Sequence, residues 1–246
     1  MKKYEFTGET KIVNGRTLHR IRALTSFGSI KAGQLGGWIE KEENLADEGN
    51  AWVSDNAWVY GNAEVSGDAE VYGNAEVCGN ALVSGDAEVF GNAWVYGNAK
   101  VYGNAEVCVA AWVYGNALVY GNAWVYGNAK VSGDAEVSGD AWVYGNAKVC
   151  GNAKVCGDAE VYGDAVVCKT NHYLVIGPIG SRLSFTTFYR DKNNDISVKC
   201  GCFNGTIDEF EKKVKETHKD GKHAKVYLLA VEMAKVQIEL EDDNES

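Results

Sequence analysis

Alanine recurs at every sixth position from Ala51 to Ala165, and valine does the same from Val53 to Val167, through 20 consecutive units. Nothing else in the chain restricts its fold as strongly. The unit is Gly-(Asn/Asp)-Ala-x-Val-y, opened by Gly49, and only Asp55 and Val109 replace the glycine. A helix does not tolerate glycine at every sixth residue. In an extended chain side chains alternate sides, so Ala and Val share one face and x and y the other. The invariant apolar pair must face inward. Position x (Glu, Lys, Trp, Leu or Val) and position y (Tyr, Ser, Cys or Phe) face out. Gly followed by Asn or Asp is a corner, because Gly accepts positive φ and the Asx side chain bonds its own backbone. Each unit thus reads as a short strand plus a corner. A stack of hairpins would lack one continuous inner lining.

Three units per coil give a triangular prism whose narrow interior admits only Ala and Val. The fold class expected is mostly β: a three-sided parallel β-helix of about 18 residues per coil, roughly 32 Å long at strand spacing. At Val109-Ala110 the Gly-Asn pair is missing, so a different corner conformation or a bulge is expected there.

Positions 18 apart then stack. This places Trp94 beside Trp112 with Tyr96 and Tyr114 flanking, and Trp58 two coils away. A second face carries Trp124 and Trp142 with Tyr126, Tyr144 and Tyr162. A third carries Glu64, Leu82, Lys100, Leu118, Glu136 and Lys154. Outward aromatics this dense are unusual on a monomer. They support neighbouring strands, form a self-association face, or offer a platform for a sugar, a base or a foreign protein.

The net charge of −10 belongs to the repeat units 49–168, which hold 14 Asp/Glu against 4 Lys. An acidic rod repels nucleic acid phosphates and serves solubility. Mimicry of DNA is disfavoured on the expectation that the acids form no dense rows. There is no apolar run long enough to span a bilayer and no apolar h-region after Met1-Lys2-Lys3, so the cytoplasm is the expected location. With seven cysteines and no secretion signal, free thiols are expected. Cys200-Gly201-Cys202 has no second pair and no neighbouring His cluster, so neither a metal nor a cofactor is expected.

Three regions follow. Residues 1–38 form a strand and hairpin cap, with Val13-Asn14-Gly15-Arg16 as the turn, shielding an open sheet edge. Residues 39–168 form the solenoid, with Ile39 and Leu45 on the alanine phase. Residues 169–246 form a small α+β module. It has strands at 173–177, 184–190 and 196–200, a capping box at Thr206–Glu209 opening a helix to about His218, a second helix over 224–240, and a frayed acidic tail. Its glycine-bearing segment Gly177, Gly180, Ser181 and Arg182, together with Gly205 and Thr206 before the helix, suits an anion held by backbone N–H groups and an Arg. The spacing does not fit a P-loop or a dinucleotide fingerprint.

A valine followed four residues later by a small residue, over six-residue units, resembles the hexapeptide-repeat, left-handed β-helix superfamily. The left hand is implied by that resemblance and runs against the usual right-handed crossover. The run Val59-Tyr60-Gly61-Asn62-Ala63-Glu64-Val65 and its copies resemble the loopless repeat proteins common in phage and prophage genomes. The leader Arg22-Ala23-Leu24 through Gly36-Gly37-Trp38-Ile39 and Glu43-Asn44-Leu45 is similar to theirs. So are Ile176–Arg182 and Gly201–Thr206 at the other end. The resemblance covers the whole chain. It implies a phage or prophage origin, a bacterial host cytoplasm and a homotrimer, and it is silent on activity.

Many superfamily members are acyl-CoA-dependent acyltransferases with a His general base at a subunit interface. Here His19, His172, His218 and His223 all lie outside the repeats and no loop interrupts them, so a coil-borne base for such a reaction is missing. The expectation is a non-catalytic scaffold that self-associates or binds a partner. The alternatives are a counter-defence factor sequestering a host protein or a nucleotide signal, an acyltransferase, and a virion or assembly component.

Overall fold

A computed structural model describes residues 2–240; the acidic tail expected to fray lies outside them. The leader contributes β1 (Tyr4–Val13), β2 (Arg16–Ala23) and β3 (Leu35–Ile39). Twenty two-residue strands follow, from Trp52–Val53 to Val166–Val167. The terminal module holds β24 (Tyr173–Ile179), β25 (Ser184–Arg190), β26 (Ile196–Cys200), β27 (Phe203–Thr206), α1 (Ile207–His218) and α2 (Lys222–Gln237).

The repeat strands sort into three parallel ladders, every third strand to one face, in strict register at 18-residue spacing. The chain is a β-solenoid of about seven turns. The backbone explains the register: the N–H groups of x, y and Asn/Asp donate to the Ala, Val and Gly carbonyls one coil on, as Trp58, Tyr60 and Asn62 do to Ala75, Val77 and Gly79 at 2.9, 3.1 and 2.7 Å. Every repeat Ala and Val is at most 1% exposed, so the interior is two kinds of apolar column and nothing else. The corner asparagines add their own ladder, with Asn62, Asn80, Asn98 and Asn116 each donating Nδ2–H to the next coil's Asx oxygen.

Glycine is required at the corners twice over. At Gly103, for example, φ is +74°, and an added Cβ would sit 3.0 Å from the Gly121 backbone nitrogen. Val109 corrects the expectation of a bulge. It takes the same left-handed conformation at φ 65°, because the ladder bonds on both sides of it leave the corner no other path. Asp55 does the same at φ 54°.

The N-terminal cap is the expected hairpin, with Val13 opposite Arg16, and β3 joins it to the first face of the rod. The phase expectation needs correcting. Ile39 pairs with Val59 and Leu45 with Val65, so both sit on the valine columns. The two additional residues of this first coil are absorbed between Leu45 and Trp52, where the 18-residue register begins. The buried Asn44 side chain replaces missing backbone partners there: it accepts from Glu40 and Lys41 N–H and donates to the Gly61 and Ala63 carbonyls.

The C-terminal sheet has four antiparallel strands rather than three. β27 escaped the sequence reading because Phe203-Asn204-Gly205-Thr206 has turn composition. β25 lies across the last coil. Tyr189 belongs to the rod's core and Phe188 to the module's own core with Phe210, Val214 and Val231. Asp191 bridges Ala165, and Lys192 donates its N–H to the Asp164 carbonyl. Cys150 and Cys168, stacked one coil apart with Cα atoms 4.3 Å apart, are joined as a disulfide. This corrects the free-thiol expectation for two of the seven; the other five are free. Among the described residues no helix is long and apolar enough to cross a membrane.

Candidate functional site

Aromatic rings stack on all three faces of the rod, Tyr102 on Tyr120 at 5.0 Å on the third, and two of the faces carry open indole stacks. On the first, Trp94 and Trp112 are paired residues of adjacent strands, and their rings stack at 5.3 Å and 10°. Tyr96 and Tyr114 stack at 5.0 Å beside them, and Tyr96 meets Trp112 edge-on at 6.4 Å. Lys130, next in the column, places its ammonium 4.5 Å from the Trp112 ring. On the second face Trp124 and Trp142 stack at 5.3 Å, with Tyr126 and Tyr144 at 4.8 Å. Trp94, Trp124 and Trp142 remain 41%, 37% and 39% exposed. Parallel in-register strands force like residues into ring-on-ring contact, so one Trp per coil becomes a ribbon of indole.

Trp58 does not join this surface. The leader hairpin covers it: the Lys11 ammonium lies 4.3 Å from its ring and 4.2 Å from Trp38. Burial, with Arg20 nearby, pushes the Lys11 amine down to about 8. Glu76 separates Trp58 from Trp94 in the column and accepts a hydrogen bond from the Tyr60 hydroxyl.

The second face also overturns the expectation about acid rows. Glu70, Glu88 and Glu106 are in register on successive strands. Burial, then the Glu88 charge, raises the carboxyls of Glu70 and Glu106. Tyr72 donates its hydroxyl proton to Glu88 at 2.7 Å. The 18-residue spacing in the sequence already held this signal.

The terminal module separates the two halves of the expected anion site. Thr206 is the N-cap of α1: its Oγ1 accepts from Glu209 N–H at 3.3 Å, while the Glu209 carboxylate accepts from Thr206 N–H at 3.0 Å. The helix terminus is thus filled by its own Glu209, which also lies against Gly205. The cleft beside it, about 270 Å³, is lined by Asp164, Asp191 and Glu209, a poor setting for an anion.

Gly177 is in β24 with its α-carbon against Phe185, and Gly180 forms the following turn at φ +72°, where any Cβ would strike the Tyr227 ring. That turn delivers Ser181 and Arg182 to a different cavity of about 370 Å³, shared with the 200–203 turn, α1 and α2. Phe203, Phe210, Val214 and Tyr227 form its apolar wall, and Arg182, Lys213 and His218 its basic members. The Tyr227 hydroxyl is pushed up to about 12 by burial and then by the neighbouring Cys200. Lys213, His218 and Tyr227 were missed from sequence, because nothing in their spacing marks them. Only helix packing brings them to Arg182.

Similarity to known proteins centres on the repeat. A family model described as a YdcK beta solenoid repeat matches residues 111–127, the stretch holding Trp112, Tyr114, Trp124 and Tyr126. The chain is a β-solenoid built on a six-residue repeat. The uncharacterized acetyltransferase YdcK of Escherichia coli (strain K12) is 47% identical over 38 residues. That match covers 15% of the chain and 12% of the relative, so the chain spans only a small part of that protein's length. The matched stretch 111–127 includes Trp112 of one indole stack and Trp124 of the other, together with the buried Ala and Val of the same units.

Proposed function

We propose that this solenoid is a non-catalytic binding and structural protein, a rigid rod closed at both ends that self-associates or holds a protein partner through its Trp/Tyr faces. The observation that carries the reading is the pair of contiguous, solvent-open indole stacks, Trp94–Trp112 and Trp124–Trp142. Stacking on the neighbouring coil is worth roughly 0.2–1 kcal/mol per pair, which does not need rings left more than a third exposed. Aromatic side chains exposed in register are what protein interfaces use as anchors. The resemblance to phage and prophage repeat proteins supports a trimer and a bacterial host cytoplasm, with sequestration of a host protein or a small nucleotide as the sharper form of this function. The test is light scattering over a wide concentration range, together with capture of a partner from host lysate. Trp94→Ser/Trp112→Ser and Trp124→Ser/Trp142→Ser should abolish the higher mass or the capture without unfolding the rod. A monomer at every concentration that retains no partner overturns the proposal.

A second reading, acyl transfer, is supported by the name of the Escherichia coli relative, an uncharacterized acetyltransferase. It is weakened by the placement of the histidines. His19 stacks on Phe6 at 4.7 Å in the cap, and His172, 1% exposed, accepts from Cys168 N–H. His218 and His223 lie in the terminal module. Turnover of acetyl-CoA with an amine or hydroxyl acceptor would establish this reading over the first.

A further inference from the structure

The cavity of the terminal module has features that the rod's proposed function does not use. It measures about 370 Å³, within the range of small-molecule sites. Four aromatic rings line it in mutual contact: Phe203 and Phe210 at 5.2 Å, Phe210 and Tyr227 edge-on at 5.6 Å, and His218 stacked on Tyr227 at 5.7 Å. The same cavity gathers Arg182 and Lys213, and none of its lining residues is acidic. That is a sharp local contrast in a chain of net charge −10.

Among the described residues both cations are uncommitted. The hydrogen-bond-range neighbour of the Arg182 guanidinium among the described residues is the Cys202 thiol, at 3.9 Å, a weak acceptor. Lys213 has no ion pair among the described residues. Two turns hold the mouth in place. Gly180 must be glycine to let Tyr227 approach, and Lys199 donates to the Gly201 carbonyl at 2.6 Å.

From this geometry we infer that the cavity between the 180–183 turn, the 200–203 turn and α1 binds a small aromatic anion, a planar ring system bearing a phosphate or carboxylate. The ring body rests on Phe203, His218 and Tyr227, where ring–ring contacts favour a flat π-face over an aliphatic chain. The anionic head reaches the Arg182 fork and the Lys213 ammonium, which suit phosphate and carboxylate alike. The site stands apart from the indole ribbons, so its failure leaves the proposed binding by the Trp/Tyr faces untouched and bears only on the nucleotide form of that function.

The test is calorimetric titration of the full chain with 1-naphthyl phosphate and 1-naphthoate, against neutral 1-naphthol and inorganic phosphate. Adenosine monophosphate and indole-3-acetate serve as the biological forms of the two heads. The naphthyl anions should saturate one site below about 1 mM, with naphthol and inorganic phosphate at least roughly tenfold weaker. Arg182→Gln/Lys213→Gln, both exposed positions, should weaken anion binding about tenfold or more and flatten its salt dependence, leaving naphthol unchanged. Thr217→Trp, which fills the mouth from exposed α1, should abolish binding of every ring-bearing probe. Circular dichroism should show both variants folded. The inference is overturned if neither naphthyl anion saturates, if naphthol binds as well as they do, or if the double variant binds them with wild-type affinity.

Discussion

Phe188 and Tyr189 are neighbours in β25 yet belong to different cores: Phe188 is edge-on to Phe210 at 6.0 Å in the module, while Tyr189 closes the open end of the Ala/Val interior. Strand alternation makes this possible, since one strand shows its two sides to two units. The last coil's carbonyls and N–H groups, otherwise an exposed edge, are met from the same strand. Glu160 N–H donates to Thr187 Oγ1 at 3.0 Å, and Arg190 Nε donates to the Val166 carbonyl at 3.3 Å.

Truncating these two residues should therefore have separable effects. Either change to Ala costs about 3–5 kcal/mol locally. In Tyr189→Ala, hydrogen exchange should accelerate at the last coil, around Val161 and Val167, with α1 and α2 little changed. In Phe188→Ala the pattern should reverse. Equal acceleration everywhere in both variants would show one cooperative core and refute the two-core description.

Val109 holds a left-handed corner at φ 65° where the other corners of its coil use glycine. A branched residue there costs on the order of 1–2 kcal/mol, partly offset by the unfolded-chain entropy that glycine loses. Val109→Gly should stabilise the solenoid by about 1 kcal/mol, raising Tm by roughly 2–4 °C. Gly127→Val, the reverse change one coil on, should lower it. An unchanged or lower Tm in Val109→Gly would mean that the exposed valine is held by contacts outweighing its strain.

The Glu70–Glu88–Glu106 column makes a pH prediction. Burial first, then Glu88, raises the Glu106 carboxyl above its ordinary value of 4.5. A raised folded value means the fold prefers the protonated acid. Its contribution is full below the unfolded value and is lost as pH rises through the folded one. Glu106→Gln should therefore stabilise the rod at pH 7, by a few tenths of a kcal/mol to about 1 kcal/mol, and raise its Tm there while changing it little at pH 4. An equal gain at both values would trace the effect to something other than ionisation.

The interior allows no enlargement. Ala117 is fully buried in a mid-rod column, and Ala117→Leu forces extra methylenes into a closed prism. A cost of about 1–3 kcal/mol or more is expected, measurable by denaturant unfolding. The outward Leu118→Ala beside it should cost less. Similar losses for both would contradict the inward and outward assignment.

The six-residue period alone determined the inner lining, the corners, the three faces and the stacking of positions 18 apart. Each unit makes the same local choice, and a repeated local choice propagates without reference to anything distant. The Val13–Arg16 turn and the Thr206–Glu209 capping box were legible for the same reason, being contacts within four residues. The tertiary structure decided what happens where the period stops. It shifted Ile39 and Leu45 onto the valine columns and hid Trp58 beneath Lys11. It also gathered Arg182, Lys213, His218 and Tyr227 around one cavity. Those outcomes depend on segments far apart in the chain packing against each other, and no spacing between residues encodes such a meeting.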